Sequence, residues 1–512
     1  MHRTLCLALT ACAASPTAQL DAPAAADPTL VTVAQGTLQG FADSGVLRWN
    51  GVPFAAPPLG ALRWRPPAPP ASWTGVRDAT RYASECTQAP DEVNPEGTPV
   101  GVEDCLYLNV TAPAHAAGPL PVIVFVHGGA FITGDSSAPM YNAPELPTEA
   151  PAIVVTVNYR LGALGFLALP ELAAEDAHGS TGDYGLLDQL AALRWVRDNI
   201  SAFGGDPERV LLWGHSAGGA STLMLVASPL GRGLFRAAFA QSGGTATGRG
   251  RSRAATAGAA YAASLGCTGA GVLACLRALP ATAAEALPPD TYQWGPVVDG
   301  SVLPQSPPAL FAIGAHNHVP VVFGTTVREQ ANPKARAFPP IATVVDEASY
   351  EAALTQNFGA ANVATILAHY PATTTPRAAY VAALSDAFMT CPARRMARAL
   401  AAHQSEPVYR YLFTHTDSAG PRVAQGPAHG VDFTYWFDAF LYFTPTASEH
   451  ALAATMSGQL AHVAAGGATA PGWPAYAADD PTLVLDDTIE VASDPHGMDC
   501  DLWDALTKPL GD

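Results

Sequence analysis

Residues 203–218 read Phe-Gly-Gly-Asp-Pro-Glu-Arg-Val-Leu-Leu-Trp-Gly-His-Ser-Ala-Gly. The apolar run 210–213 predicts a short buried strand, and 217–227 is a small-residue, helix-like run. Between them stands Gly214-His215-Ser216-Ala217-Gly218, a G-x-S-x-G turn. A turn this sharp leaves no room for side chains at Gly214 or Gly218, and it lifts the Ser216 hydroxyl clear of the backbone as a nucleophile. Gly, Ser and Ala are common in this chain, so the pentapeptide alone says little. The strand before it and the helix after it separate it from an ordinary Gly/Ser turn.

Working outward, apolar β-branched runs at 30–38, 46–52, 106–111, 122–126, 153–158, 237–241, 320–324 and 408–414 predict further strands. Residues 185–199 carry apolar side chains at helical spacing, including Leu186, Leu190, Leu193 and Val196. Strands alternating with helices predict an α/β fold, with a large, mostly parallel central sheet and helices on both faces. The Ala-rich stretches 250–285 and 347–405 are expected to be helical insertions over one sheet edge and the active site. A length of 512 residues allows two to four domains, but no repeat or clean linker splits the chain. One large domain over 29–512 is the expectation.

The chain is 49% hydrophobic and only 14% charged, which suits a deeply buried globular core. Its net charge of −18 argues against nucleic acid and anionic membrane surfaces as partners. Lys334 and Lys508 are the only lysines, a bias that fits a GC-rich genome. No internal apolar run is long enough to span a membrane. At the N-terminus, His2 and Arg3 precede the apolar stretch 5–11, as in a short export signal. Leu9-Thr10-Ala11-Cys12 also resembles a lipobox, so residues 1–12 are expected to be a leader and Cys12 a lipid-anchor site. Residues 13–28, rich in Ala, Pro and Asp, read as a disordered tether.

Six cysteines remain beyond the leader: Cys86, Cys105, Cys267, Cys275, Cys391 and Cys500. Six allow 15 pairings, so sequence alone leaves connectivity open, although sequential pairing of the first four would close two short loops. No C-x-x-C occurs, which makes a metal site a poor reading. Disulfides imply an oxidising compartment, and the expected location is secreted, periplasmic or an outer-surface lipoprotein.

A second motif lies upstream. The strand 122–126 runs into His127-Gly128-Gly129-Ala130-Phe131, like the glycine-rich oxyanion loops whose backbone N–H groups approach substrate closely. With both motifs in place, the chain resembles the type-B carboxylesterase family of α/β-hydrolases, which includes cholinesterases and bacterial para-nitrobenzyl esterases. The likeness runs from about residue 30 to the end. It is supported by Gly51-Val52-Pro53-Phe54-Ala55-Ala56-Pro57-Pro58-Leu59-Gly60, Glu103-Asp104-Cys105-Leu106-Tyr107-Leu108-Asn109, Asn158-Tyr159-Arg160 and Tyr184-Gly185-Leu186-Leu187-Asp188-Gln189.

That resemblance implies a Ser-Glu-His catalytic set. The family's acid sits in a segment like G-x-x-x-D-E-G, and Gly324-Thr325-Thr326-Val327-Arg328-Glu329-Gln330 places Glu329 there. Arg328 and Gln330 depart from the pattern. The family's histidine lies in H-G-x-D/E, which Ala428-His429-Gly430-Val431-Asp432 matches, so His429 is the implied base. His127 and His215 are expected to shape loops. The resemblance further implies oxyanion donors at Gly129, Ala130 and Ala217, and disulfides Cys86–Cys105, Cys267–Cys275 and Cys391–Cys500. It implies neither a metal nor an organic cofactor, and the chain is expected to be a monomer.

Two departures bear on substrate. No Trp, Tyr or Phe lies between Cys86 and Cys105, where cholinesterases carry a tryptophan for cation–π binding of choline. His215 stands before the nucleophile, where the family usually has Glu. Losing that carboxylate is expected to lower the His429 pKa and weaken any preference for cationic substrates. The reading is therefore hydrolysis of neutral carboxylic esters, small or polymeric, through an acyl-enzyme. The alternatives are a lipase or polyester hydrolase of the same fold, or a non-catalytic adhesion module. Adhesion relatives lack the serine or histidine, whereas this chain keeps all three candidates.

Overall fold

The computed structural model describes residues 27–88, 100–116, 118–244, 246–285, 294–331, 340–467, 469 and 471–506. The expected leader 1–12 with Cys12, the tether up to residue 26, Lys334 and Lys508 lie outside the described residues. Near the N-terminus, β1 (Leu30–Val33), β2 (Gly36–Gln39) and β5 (Val76–Asp78) form a small sheet. Among the described residues the central sheet has eleven strands. They are β3 (Phe41–Asp43), β4 (Val46–Pro53), β6 (Tyr107–Pro113), β7 (Leu120–Val126), β8 (Ile153–Val157), β9 (Gly205–His215), β10 (Ala237–Gln241), β13 (Val321–Thr326), β14 (Val408–Phe413), β15 (Pro481–Leu485) and β16 (Glu490–Ser493). A separate short pair joins β11 (Arg249–Gly250) to β12 (Val297–Val298).

Across the sheet the order is β16-β15-β14-β13-β10-β9-β7-β8-β6-β4-β3. Every pairing from β15 to β8 is parallel, and the pairings at the two edges are antiparallel. The expected mostly parallel sheet is therefore what the chain builds, with β7 and β9 at its centre. Both are apolar on both faces, as strands covered by helices on two sides must be. Val122, Val124 and Val126 of β7 join Val210 and Leu212 of β9 in one core. Ile123 and Phe125 join Leu211 and Trp213 in the other.

Helices Tyr184–Asn199 and Ala217–Ala227 close the first core, the former through Leu186, Leu190, Leu193 and Val196. Helix Ala447–Gly466 closes the second through Leu452, Met456, Leu460 and Val463, a run with the three- and four-residue spacing of one helix face.

Two expectations need correction. The run 30–38 is not one strand: the chain turns at Ala34 and Gln35, separating β1 from β2 as an antiparallel hairpin. The Trp73 ring fills the space a side chain at Gly36 would need. The stretch 347–405 is not one insertion either. Helices Glu347–Phe358, Ala360–His369 and Pro376–Ser385 share a separate small core with Leu502 and Trp503. Helix Cys391–His403 instead belongs to the layer on the sheet. Its Ala393, Met396, Ala397 and Leu400 form a stripe against Val321 of β13 and Val408 of β14.

Cys86–Cys105, Cys267–Cys275 and Cys391–Cys500 are disulfide-bonded. Among the described residues, no single helix is long and apolar enough to cross a membrane.

Candidate active site

The parallel strands β7, β9, β13 and β14 deliver the candidate residues at their C-terminal ends. Strand β9 ends at His215, and Ser216 turns at φ +57°, ψ −120° before helix Ala217–Ala227 begins. A non-glycine residue in this left-handed region is strained and must be held there by its surroundings. Ser216 N–H donates to Gln241 O at 2.9 Å, and Ser216 O accepts from Ala220 N–H at 2.8 Å. The flanking glycines are steric necessities. A Cβ on Gly214 would lie 2.2 Å from Gly218 O, and one on Gly218 would lie 2.0 Å from Val126 O.

The loop after β7 closes on this turn. A Cβ on Gly128 would sit 2.9 Å from Ser216 Cβ. Gly129 adopts φ +110°, and Ala130 and Phe131 also have positive φ. Gly129 O accepts from the N–H groups of Ile132 and Thr133, both at 3.0 Å, which fixes the loop's curl. Among the described residues, the N–H groups of Gly129, Ala130 and Ala217 have no acceptor. Ala217 opens its helix, where a backbone N–H has no intrahelical partner. Three free donors close to a serine suit a developing oxyanion. His127 does shape the loop: its Nδ1 lies 2.8 Å from Gly128 O and its ring stacks on Tyr159 at 4.5 Å.

Glu329 opens a short turn just after β13 and is fully buried. Its Oε1 accepts from Ser242 Oγ at 2.7 Å and from Thr326 N–H at 2.8 Å. Its Oε2 faces His429 Nδ1 at 2.5 Å. The loop after β14 carries His429, and a backbone bridge between Arg328 and Ala428 draws the two turns together. Arg328 N–H donates to Pro427 O at 3.1 Å. The position that departs from the family pattern thus serves through its main chain, which any residue supplies. Gln330 N–H donates to Ser385 Oγ at 3.0 Å, so helix Pro376–Ser385 packs against this turn.

Ser216 and His429 meet through their neighbours. The His429 ring centroid is 4.5 Å from that of His215, which directly precedes Ser216. Among the described residues no hydrogen bond joins Ser216 Oγ to His429. Such contacts tighten when substrate binds.

Burial disfavours charge on His429, but Glu329 beside it, with Asp432 further on, outweighs this and raises its pKa above the ordinary imidazole value. Burial and the neighbouring His429 hold His215 well below that value, so His215 is a neutral neighbour. Replacing a carboxylate by His215 removes one source of upward shift, while Glu329 remains the dominant one. Asp432 is fully buried, and burial with nearby Glu329 pushes its pKa up to about 6. Its Oδ2 accepts from Tyr411 O–H at 2.8 Å.

Sequence reading missed Ser242, Thr326 and Tyr411. Ser242 follows β10 in Gln241-Ser242-Gly243-Gly244, a strand-ending Ser-Gly-Gly that could have drawn notice. Thr326 acts through its backbone, which no side-chain motif announces.

Among the described residues, two groups elsewhere bring possible metal ligands together: Asp386, His496 and Asp499, and His415, Asp486 and Asp487. Neither includes a residue of the Ser216 site.

A sequence profile of the carboxylesterase family matches residues 27–503. A para-nitrobenzyl esterase of Bacillus subtilis (strain 168) is 35% identical over 487 residues, 91% of this chain and 96% of the relative. A fumonisin B1 esterase of Sphingopyxis macrogoltabida is 38% identical over 429 residues, 80% of this chain and 75% of the relative. A solved structure titled PNB esterase superposes with a TM-score of 0.80 at 32% identity, covering 93% of this chain and 100% of its own.

Proposed function

The chain belongs to the carboxylesterase family and is a carboxylic-ester hydrolase, and from that premise we propose that it cleaves neutral carboxylic esters through an acyl-enzyme on Ser216. His429 takes the proton from Ser216 Oγ, which attacks the ester carbonyl carbon. The oxyanion is held by the N–H groups of Gly129, Ala130 and Ala217. His429 then gives its proton to the leaving alkoxide, and the alcohol departs. Water attacks the acyl carbon and passes a proton to His429. Collapse of this second intermediate returns that proton to Ser216 and frees the acid. Glu329 holds the His429 tautomer with Nδ1 protonated and Nε2 free to act as base.

The observation that carries this reading is the 2.5 Å contact between His429 Nδ1 and Glu329 Oε2, with the other carboxylate oxygen tied down by two donors. The absence of an aromatic residue between Cys86 and Cys105 supports neutral over choline esters. Ser216→Ala is expected to abolish hydrolysis of para-nitrophenyl butyrate, and an organophosphate is expected to label Ser216. Normal turnover by the variant, or labelling elsewhere, refutes the assignment. Export belongs to the same proposal, supported by three disulfides and the apolar stretch after Arg3. Mass spectrometry of protein from the native host tests it, since an intact Met1 would refute cleavage of a leader.

A further inference from the structure

A cleft of about 850 Å³ lies at the opposite end of the sheet from Ser216. Pro207 and Glu208, early in β9, line it, as do Phe235 and Arg236, just before β10, and Val319, just before β13. At the roughly 3.3 Å rise per strand residue, the eight residues from Glu208 to Ser216 place the two sites about 25 Å apart. The charged side chains around the cleft are Arg232, Arg236 and Glu208, with His316 and His318 beside them. With neutral histidines, two arginines against one glutamate leave a local charge of +1 in a chain of −18.

Among the described residues, neither arginine side chain has an ion-pair or hydrogen-bond partner. Both are exposed, and their forked guanidiniums are shaped for two-point contact with a carboxylate. Phe235, Leu310 and Val319 are buried and supply an apolar floor.

His316 borders the cleft beside the arginines. It is over nine-tenths buried. The Gln404 amide donates to Val319 O and Glu406 O, so its Oε1 is the end turned to His316 Nε2, at 3.0 Å. Nε2 is therefore the protonated nitrogen, and the buried Nδ1 has no partner. An unprotonated Nδ1 accepts only, so its partner is a donor such as water and not the carboxylate head, which falls to the arginines.

We propose that this cleft is a non-catalytic site for organic carboxylates with an apolar body, the head on Arg232 and Arg236 and the tail on the Phe235–Leu310–Val319 floor. The pair of free arginines selects the anion, and the floor excludes purely inorganic ions as the best ligands. The site stands whether or not Ser216 acts as proposed.

The test uses the full chain carrying Ser216→Ala, so that no turnover intervenes. Calorimetric titration with octanoate is expected to show binding that Arg232→Gln with Arg236→Gln weakens at least tenfold, at unchanged melting temperature. Octanamide, which keeps the tail but not the charge, is expected to bind at least tenfold more weakly than octanoate. Arg232→Lys with Arg236→Lys retains charge without the fork and is expected to fall between. No binding of millimolar octanoate, an unaltered Kd in the Gln variant, or equal binding of acid and amide would each overturn the proposal.

Discussion

Replacing Glu329 by Gln changes one atom type in a fully buried position and keeps its shape. Of the groups around that carboxylate, the Thr326 backbone N–H at 2.8 Å can only donate, while the Ser242 hydroxyl at 2.7 Å donates to the same oxygen. An amide at position 329 must therefore turn its oxygen to Thr326 and Ser242 and its NH₂ to His429. The only His429 tautomer that accepts there carries its proton on Nε2, the nitrogen needed to receive the Ser216 proton. The same logic in a well-characterised serine protease triad gives a loss of about 10⁴ in kcat, so a fall of roughly 10³–10⁴, or about 4–5.5 kcal/mol of barrier, is expected. The neutral amide also removes the charge that raises the His429 pKa. His429 acts as a base only when unprotonated, so wild-type activity falls as pH drops through this raised value. In the Gln variant the residual activity should fall at a lower pH. The assay is kcat/KM for para-nitrophenyl butyrate from pH 5 to 9. A variant retaining more than a tenth of wild-type activity, or an acid limb moved upward, would refute the reasoning.

Three further outcomes follow from the geometry. His215→Glu places a carboxylate where a neutral ring now lies 4.5 Å from His429, so the acid limb of kcat/KM should move to higher pH and cationic esters should gain ground; an unmoved limb counts against this. Gly128→Ala adds a Cβ 2.9 Å from both Ser216 Cβ and His215 O, and a displaced nucleophile should cost on the order of 10²-fold in kcat/KM with little change in melting temperature. Near-normal kinetics would show that the loop can retreat. Replacing Cys391 and Cys500 by Ser opens a bridge spanning 109 residues, and replacing Cys267 and Cys275 opens one spanning 8. Loop-closure entropy puts the losses at about 5 and about 2.5 kcal/mol, and denaturant unfolding that reversed this order would contradict the account.

Much of the site was legible because its parts are local. The Ser216 turn, the Gly128–Gly129 loop and the His429 segment each sit in a few consecutive residues whose types the backbone demands. Glu329 was legible only by its distance from Gly324, since both of its neighbours depart from the family pattern. The structure explains why those departures are tolerated. Arg328 contributes a main-chain N–H, and Gln330 contributes another to Ser385 Oγ. The break at Ala34 and the membership of helix Cys391–His403 in the sheet layer were not legible. A run of strand-forming residues does not reveal where Trp73 will pack, and one Ala-rich helix looks like the next until its apolar stripe meets a partner.

By itself, then, the sequence determined the class of fold and pointed to the candidate reacting groups. Strand periodicity, glycines that tolerate no Cβ and a serine between them are encoded within short windows, where local sterics rule. Only the tertiary structure decided how those groups are set. It brings Glu329 to His429 across 100 residues, ties the other carboxylate oxygen to Ser242, and leaves His215 a neutral neighbour. Those facts depend on burial and on contacts between strand ends distant in sequence, and a charge or a hydrogen bond acts through space rather than along the chain.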